Sequence, residues 1–509
     1  MLGIDPPEGP VPNDRPVHDE RRAAPRRGPS HTAVISDLHL SDLEPVDPAR
    51  PAWRRYKHAD VVSDTPLLRL LDHLRALASG QPVELILAGD IFDFDTVLAV
   101  PDPAPFPVSW LERARGLVPE EARSAWKLDR ILAHHPALVA GLRRWMDEGN
   151  LLVFIIGNHD LELHWPAAQD ALRAALAPPR PDALTVCEFF RIAGGDTLVM
   201  HGNQLDAYCV CHDPLHPFIE VHGRRRVRLP FGNLAGKLMM NGMGLFNPHV
   251  EGSFIRPFAE HVRFFFRYVA RLQPLLAWTW CWTAIATLWM SVDEGLRPAI
   301  RDPARLEEHV RDVARRARGT PPMVRALRDV AVHPAVFSPL KVARELWLDR
   351  AALLLLLVFV VFEVSTALHW MSGVGPGWAV ALFVALLPFY VAYARSCRSE
   401  IGNTEANIQR RVGELGRIAR VSRVVMGHTH RAAVRTHDGV TFLNTGHWSP
   451  AYDDVECTQK VGTNGFAWIR PGRDAREAEL RVFDGEGSFP FAAAEGTPSP
   501  LRRTVGSAA

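Results

Sequence analysis

The stretch ILAGDIFDFD (86–95) runs from an apolar strand straight into Asp90, Asp93 and Asp95. Carboxylates crowded this closely repel one another unless they are solvated, paired or holding a cation. The same design recurs along the chain. TAVISDLHL (32–40) is a short β-branched strand whose end carries Asp37 and His39, spaced i, i+2 and therefore on one face of an extended segment. LLVFIIGNHDLE (151–162) stops at Asn158, His159 and Asp160, DTLVMHGNQLD (196–206) at His201, and SRVVMGHTHRA (422–432) at His428 and His430. Five strand ends thus supply Asp, His, Asp, Asn, His, His and His, side chains of metal-ligand type.

Helical stretches lie between these strands. Residues 64–79 contain LLRLLDHLRAL, and 125–147 place Leu128, Ile131, Leu132, Leu138 and Leu142 at helical spacing. Strands alternating with helices predict an α/β layered fold with ligands gathered at the carboxyl ends of the strands. At 509 residues, the chain is long enough for more than one structural unit. Lys and Arg total 58 against 57 Asp and Glu, so bulk charge supplies no attraction for nucleic acid, and no such partner is expected. Six cysteines without repeated spacing fit a reducing compartment rather than a disulfide framework. CVCHD, with Cys209, Cys211 and His212, is at most half of a further metal site, since no second Cys/His pair accompanies it. Residues 1–30, rich in Pro, Arg, Asp and Glu without an apolar core, read as a disordered arm rather than a secretory signal peptide. The tail 486–509 reads as disordered as well.

Taken in order, SDLHL, GDIFD, GNHD, MHGN and GHTH resemble the signature of the calcineurin-like metallophosphoesterase superfamily. The resemblance covers roughly 31–206 and 420–485. It implies a layered β-sandwich flanked by helices in which Asp37, His39 and His430 hold one divalent cation and Asn158, His201 and His428 hold another, with Asp90 bridging the two. It also implies that His159 faces the substrate phosphate and protonates the leaving oxygen while Asp160 holds its ring. Asp93 is expected to orient a ligand from behind, Asp95 has no assigned role, and His447 in FLNTGHWSP (442–450) either approaches the site or serves structure. Mixed N and O donors suit Mn, the first expectation, or Fe, Zn or Co better than Ca. Two such cations about 3.5–4 Å apart lower the pKa of a shared hydroxide and stabilise an in-line displacement at phosphorus without a protein nucleophile.

More than two hundred residues separate His201 from His428, far beyond what a plain hydrolase core needs. This insert, taken as 207–419, contains three apolar segments: 274–292, rich in Trp, and 351–370 and 377–394, separated only by MSGVGPG. A span takes roughly 20 residues. Because His201 and His428 must reach the same metals, the chain must cross a bilayer an even number of times. The expectation is a spanning hairpin at 351–394, with 274–292 re-entrant, interfacial or paired with 255–272. Arginines across 293–350, and Arg395 and Arg398 after the hairpin, predict that both hairpin ends lie on the cytoplasmic side of the inner membrane. Glu363 and His369 are expensive in lipid and should face protein or the interface. HGRRRVRLP stacks Arg224, Arg225, Arg226 and Arg228, either a solvated charged face or a contact for lipid headgroups or a diphosphate.

The motifs look nearest to those of bacterial UDP-2,3-diacylglucosamine hydrolases, which place a helical, lipid-binding insert between the last two histidine motifs. The resulting expectation is a two-metal phosphoesterase at the cytoplasmic membrane face, acting on a phosphate ester or diphosphate bond of a lipid-linked or nucleotide-linked substrate. Two rival readings are a membrane-anchored phosphatase or phosphodiesterase of soluble substrates and a non-catalytic membrane scaffold.

Overall fold

The computed structural model describes residues 30–245, 247, 263, 265–375, 377–397, 399 and 404–491. The predicted arm, apart from Ser30, lies outside the described residues, as do 492–509 of the tail, Arg398 and most of 255–264. β1 (His31–Ile35), β2 (Val83–Ala88), β3 (Leu151–Ile155) and β4 (Leu184–Cys187) pair in parallel. They are buried almost throughout, which is why they read as unbroken apolar runs rather than alternating ones. β5 (Phe190–Ala193) and β6 (Thr197–Met200) begin a second sheet, and β7 (Phe218–Val221) and β8 (Arg224–Val227) form a separate ribbon. After the insert, β9 (Arg423–Met426), β10 (Ala433–His437) and β11 (Val440–Asn444) join the second sheet, and β12 (Gly465–Pro471), β13 (Arg476–Phe483) and β14 (Ser488–Pro490) complete the first. The orders are β14-β13-β12-β1-β2-β3-β4 and β10-β11-β9-β6-β5. β14 continues the sheet past the expected core boundary at 485.

The two sheets face each other across Val34, Ile86, Val153, Val199, Val425 and Leu443, all buried. α1 (Thr65–Leu77), α2 (Trp110–Arg115), α3 (Glu121–His134), α4 (Pro136–Asp147) and α5 (Pro166–Leu176) follow in the first half of the chain. α1, α3, α4 and α5 cover the outer face of the first sheet through Leu70, Leu71, Ile131, Leu142 and Leu172. The helical stretch expected over 125–147 is two helices. Pro136 disfavours helical geometry at His135, whose φ is −123° and ψ 49°, and then starts α4 where a missing N–H costs nothing. The outer face of the second sheet is covered by helices Leu306–Arg316, Pro321–Asp329 and Thr404–Ala419, through Val310, Val313, Val324, Leu327, Ile408 and Val412. The layered α/β sandwich thus takes one of its helical layers from the segment assigned by sequence to the insert.

The rest of the insert has a different character. α6 (Phe231–Ala235) runs on through a π turn at Gly236–Met240 and ends at Asn241–Met243. A Trp-rich helix spans Leu276–Leu296 and meets Phe265–Leu272 at a bend of 73°. Helices Leu348–Ser372 and Gly377–Ser396 form a hairpin, each long and apolar enough to cross a membrane. Arg350 ties the hairpin base by donating to the Arg344 carbonyl at 2.8 Å and the Cys397 carbonyl at 3.1 Å, so the chain leaves and re-enters the protein at one level. His369 lies by the hairpin turn, its Nδ1 2.9 Å from the Val374 carbonyl. Glu363 departs from expectation: it is exposed near the middle of its helix.

Candidate metal centre

Each expected ligand sits on the loop that ends a buried strand, and the backbone there is unusual. Asp37, His39, Asp90, His428 and His430 all have positive φ, between 49° and 69°. Such conformations cost a non-glycine residue on the order of 1–3 kcal/mol each and persist where the surroundings over-determine them. The neighbouring glycines explain the crowding. A Cβ on Gly157 would strike Asp90, one on Gly427 would strike Ser36 and Asp37, and one on Gly89, at φ +88°, would strike the His201 ring.

Asp37, His39 and His430 converge at one point. His39 Nε2 and His430 Nε2 face each other at 3.3 Å, and His430 Nε2 lies 3.4 Å from Asp37 Oδ1. Asp90, His201 and His428 form a second cluster. Asp90 lies between them: Oδ2 is 3.1 Å from His201 Nε2 and 3.9 Å from His39 Nε2, while Oδ1 accepts from the His159 backbone N–H at 2.8 Å.

Hydrogen bonding fixes which atoms face inward. His201 Nδ1 donates to the Ala88 carbonyl at 3.0 Å, which leaves Nε2 as the lone-pair nitrogen pointing at Asp90 Oδ2. Two acceptors 3.1 Å apart require a proton or a cation between them. Burial would push the His201 pKa down, but the Asp90 carboxylate outweighs it and lifts the value to about 9. His428 turns Nε2 to Asp206 Oδ2 at 3.0 Å, leaving Nδ1 for the cluster. Asn158 Oδ1 is buried and has no hydrogen-bond partner among the described residues. Its Nδ2 is taken up by Asn233 Oδ1 at 3.4 Å, so the amide oxygen is the atom offered to the site. This set of orphaned and converging donors fits two divalent cations.

His159 lies beside both clusters, 4.8 Å from the His39 ring centroid. Its Nδ1 is 3.2 Å from Asp93 Oδ1 and 3.5 Å from Asp95 Oδ2. Burial alone would lower its pKa, but Asp93, Asp90 and Asp95 raise it well above the ordinary value. Asp160 does not hold this ring, contrary to expectation. Its carboxylate instead accepts backbone N–H groups of Ile91 at 3.0 Å, Phe92 at 2.7 Å and Gly157 at 3.2 Å, stapling the β2 loop to the β3 loop. A side chain one residue past His159 points away from it here, so Asp93 and Asp95 take the orienting role.

His447 reaches the site, its ring stacked on His430 with centroids 5.0 Å apart. Burial and then His430 drive its pKa down to about 3. The CVCHD residues disperse: Cys209 Sγ joins Asp206 and His428, Cys211 enters the core, and His212 packs 5.2 Å from Phe337. Arg224 and Arg226 pair with Glu120, Arg225 lies over the Trp165 and Phe218 rings, and Arg228 donates to the Arg297 carbonyl. Asp206 and Asn233 were not anticipated from sequence. Asp206 follows His201 in a plain polar run, and Asn233 comes from α6, far along the chain from the ligand it holds.

Residues 30–232 match the family model described as calcineurin-like phosphoesterase. A search of curated proteins finds no match to this chain. The matched segment carries Asp37, His39, Asp90, Asn158, His159 and His201, and the fold returns His428 and His430 to the same place. This part of the chain matches a metallophosphoesterase domain, and its converging His and Asp clusters are of the kind that hold divalent metals for phosphoester hydrolysis.

Proposed function

We propose that the protein is a two-cation phosphoesterase held to the inner membrane by the 348–396 hairpin, with its site on the cytoplasmic side. Its substrate carries a phosphate ester or diphosphate bond and is lipid-linked or nucleotide-linked. The observation that carries this reading is the position of Asp90, one carboxylate oxygen facing a histidine of each cluster. Asp37, His39 and His430 would hold one cation and Asn158, His201 and His428 the other, with Asp90 shared; manganese is the first candidate. Such cations supply an activated water and charge neutralisation at phosphorus.

The chain's own residues do the rest. Asp93 and Asp95 hold the His159 ring through Nδ1 and favour its protonated form, and in this reading His159 gives its proton to the leaving oxygen. Asp206 and Asn233 hold His428 and Asn158 in the orientation that presents the ligand atom. Asp160 fixes the spacing of the loops that bear Asp90 and Asn158. The likeness of the motifs to UDP-2,3-diacylglucosamine hydrolases and the apolar hairpin beside the core favour a lipid-linked substrate.

Purified protein supplemented with Mn²⁺ is expected to hydrolyse p-nitrophenyl phosphate or its bis ester. A detergent-phase panel of phospholipids, nucleotide-sugars and nucleotide diphosphates then identifies the substrate class. No hydrolysis of any phosphoester at stoichiometric metal would leave a scaffold in its place.

A further inference from the structure

The Trp-rich helix Leu276–Leu296 is amphipathic in the reverse sense. Trp278, Ile285, Trp289 and Leu296, spaced 7, 4 and 7 residues apart, share one stripe and are 68, 55, 74 and 61% exposed. The opposite stripe, Thr283, Ala284, Thr287 and Ser291, is small and mostly polar, and it is fully buried against the protein. Water is the wrong solvent for that outward face.

Both ends of this helix are held on the same side. At the start, Leu276 packs against the Leu245 and Val269 pair, on which Trp53 and Val455 of the catalytic domain also pack, and Gln273 donates to the Gly242 carbonyl at 2.9 Å. At the far end, Ala299 pairs with Ile219 of β7 and the Ile300 N–H reaches the Phe218 carbonyl at 2.8 Å. A helix tethered to the catalytic domain at both ends does not cross a bilayer. Its side packs against helices Pro339–Glu345 and Leu348–Ser372, so the helix lies beside the hairpin base. Leu340 and Trp347, 68 and 64% exposed, stand at that base.

From these observations we propose that helix Leu276–Leu296 lies in the plane of the membrane, its Trp278, Ile285, Trp289 and Leu296 face seated at the headgroup–acyl boundary. This rests on the membrane attachment proposed above and extends it from two spanning helices to an in-plane third. Aromatic side chains favour that depth, and apolar faces of in-plane helices sink roughly 5–10 Å into it. The helix also packs on α6, which carries Asn233, so lipid contact and the hold on Asn158 meet in one structural unit.

The test is photolabelling of the full-length protein in liposomes of phosphatidylethanolamine and phosphatidylglycerol that carry an acyl-chain diazirine, with adducts mapped by mass spectrometry. Adducts on both hairpin helices and on Trp278, Ile285 and Trp289, with Thr283 and Thr287 bare, are expected. A labelled hairpin beside a bare 276–296 helix, as a second copy seated on that face would give, overturns the inference and leaves the hairpin anchor standing. Absence of label from all three helices overturns both.

Discussion

Asn233 donates its side-chain N–H to the Asn158 main-chain carbonyl at 2.9 Å and to Asp95 Oδ2 at 2.6 Å, while its amide oxygen accepts from Asn158 Nδ2 at 3.4 Å. One fully buried amide from α6 therefore sets which way the side chain of Asn158, an expected ligand, faces. Replacing Asn233 by Ala frees the Asn158 amide to rotate. We expect Mn²⁺ affinity to fall by about 10–100-fold, the usual cost of losing such a partner. The concentration dependence of activation should shift by that factor while the rate at saturating Mn²⁺ recovers. An unchanged activation curve would show that Asn233 does not orient the ligand.

Lys127 and Glu162 form a fully buried ion pair behind the site. Ser124 Oγ donates to the same carboxylate at 2.6 Å, and Lys127 also donates to the Phe94 carbonyl at 3.4 Å, in the loop between Asp93 and Asp95. Lys127→Met strands a buried carboxylate and should cost about 3–5 kcal/mol. The double variant Lys127→Met/Glu162→Leu should recover most of that loss, because neither charge remains. Thermal unfolding of wild type, Lys127→Met, Glu162→Leu and the double variant measures the coupling. A double variant no better than Lys127→Met would refute the pairing.

His164 carries the clearest pH signature away from the metal ligands. Burial, then His309 and Arg316, lower its pKa from 6.5 to about 3, and its Nε2 is buried without a hydrogen-bond partner among the described residues. The unfolded chain takes up a proton through pH 6.5 that the folded chain refuses. Its neutral form therefore contributes fully above that pH, and stability falls as the pH drops towards 3. At roughly 1.4 kcal/mol per pH unit, wild type should lose about 2 kcal/mol more than His164→Gln on going from pH 6.5 to 5. Parallel losses in the two proteins over that interval would contradict this account.

The strand-end motifs exposed most of the candidate site in advance because each ligand follows a turn with a fixed local demand. Gly89, Gly157 and Gly427 are required where a side chain would strike Asp90, Asp37, Ser36 or His201, and these requirements are local enough to survive as sequence patterns. What escaped has no local signature. The direction of the Asp160 carboxylate depends on where the β2 loop places three backbone N–H groups. Asn233 and Asp206 act on ligands 75 and 222 residues away. The helices Leu306–Arg316 and Pro321–Asp329 have ordinary amphipathic patterns, and only the fold shows that Val310, Val313, Val324 and Leu327 cover the second sheet. Pro136 is the exception, a local helix breaker across which the apolar spacing on either side reads as continuous.

The most direct test is metal content by mass spectrometry together with turnover for wild type and Asp90→Ala, both loaded with Mn²⁺ and freed of excess ion. Two ions per wild-type chain, at most one in Asp90→Ala, and at least a thousandfold lower turnover, about 4 kcal/mol of lost transition-state stabilisation, are predicted. An Asp90→Ala protein that keeps two ions and wild-type turnover would contradict the shared-carboxylate centre.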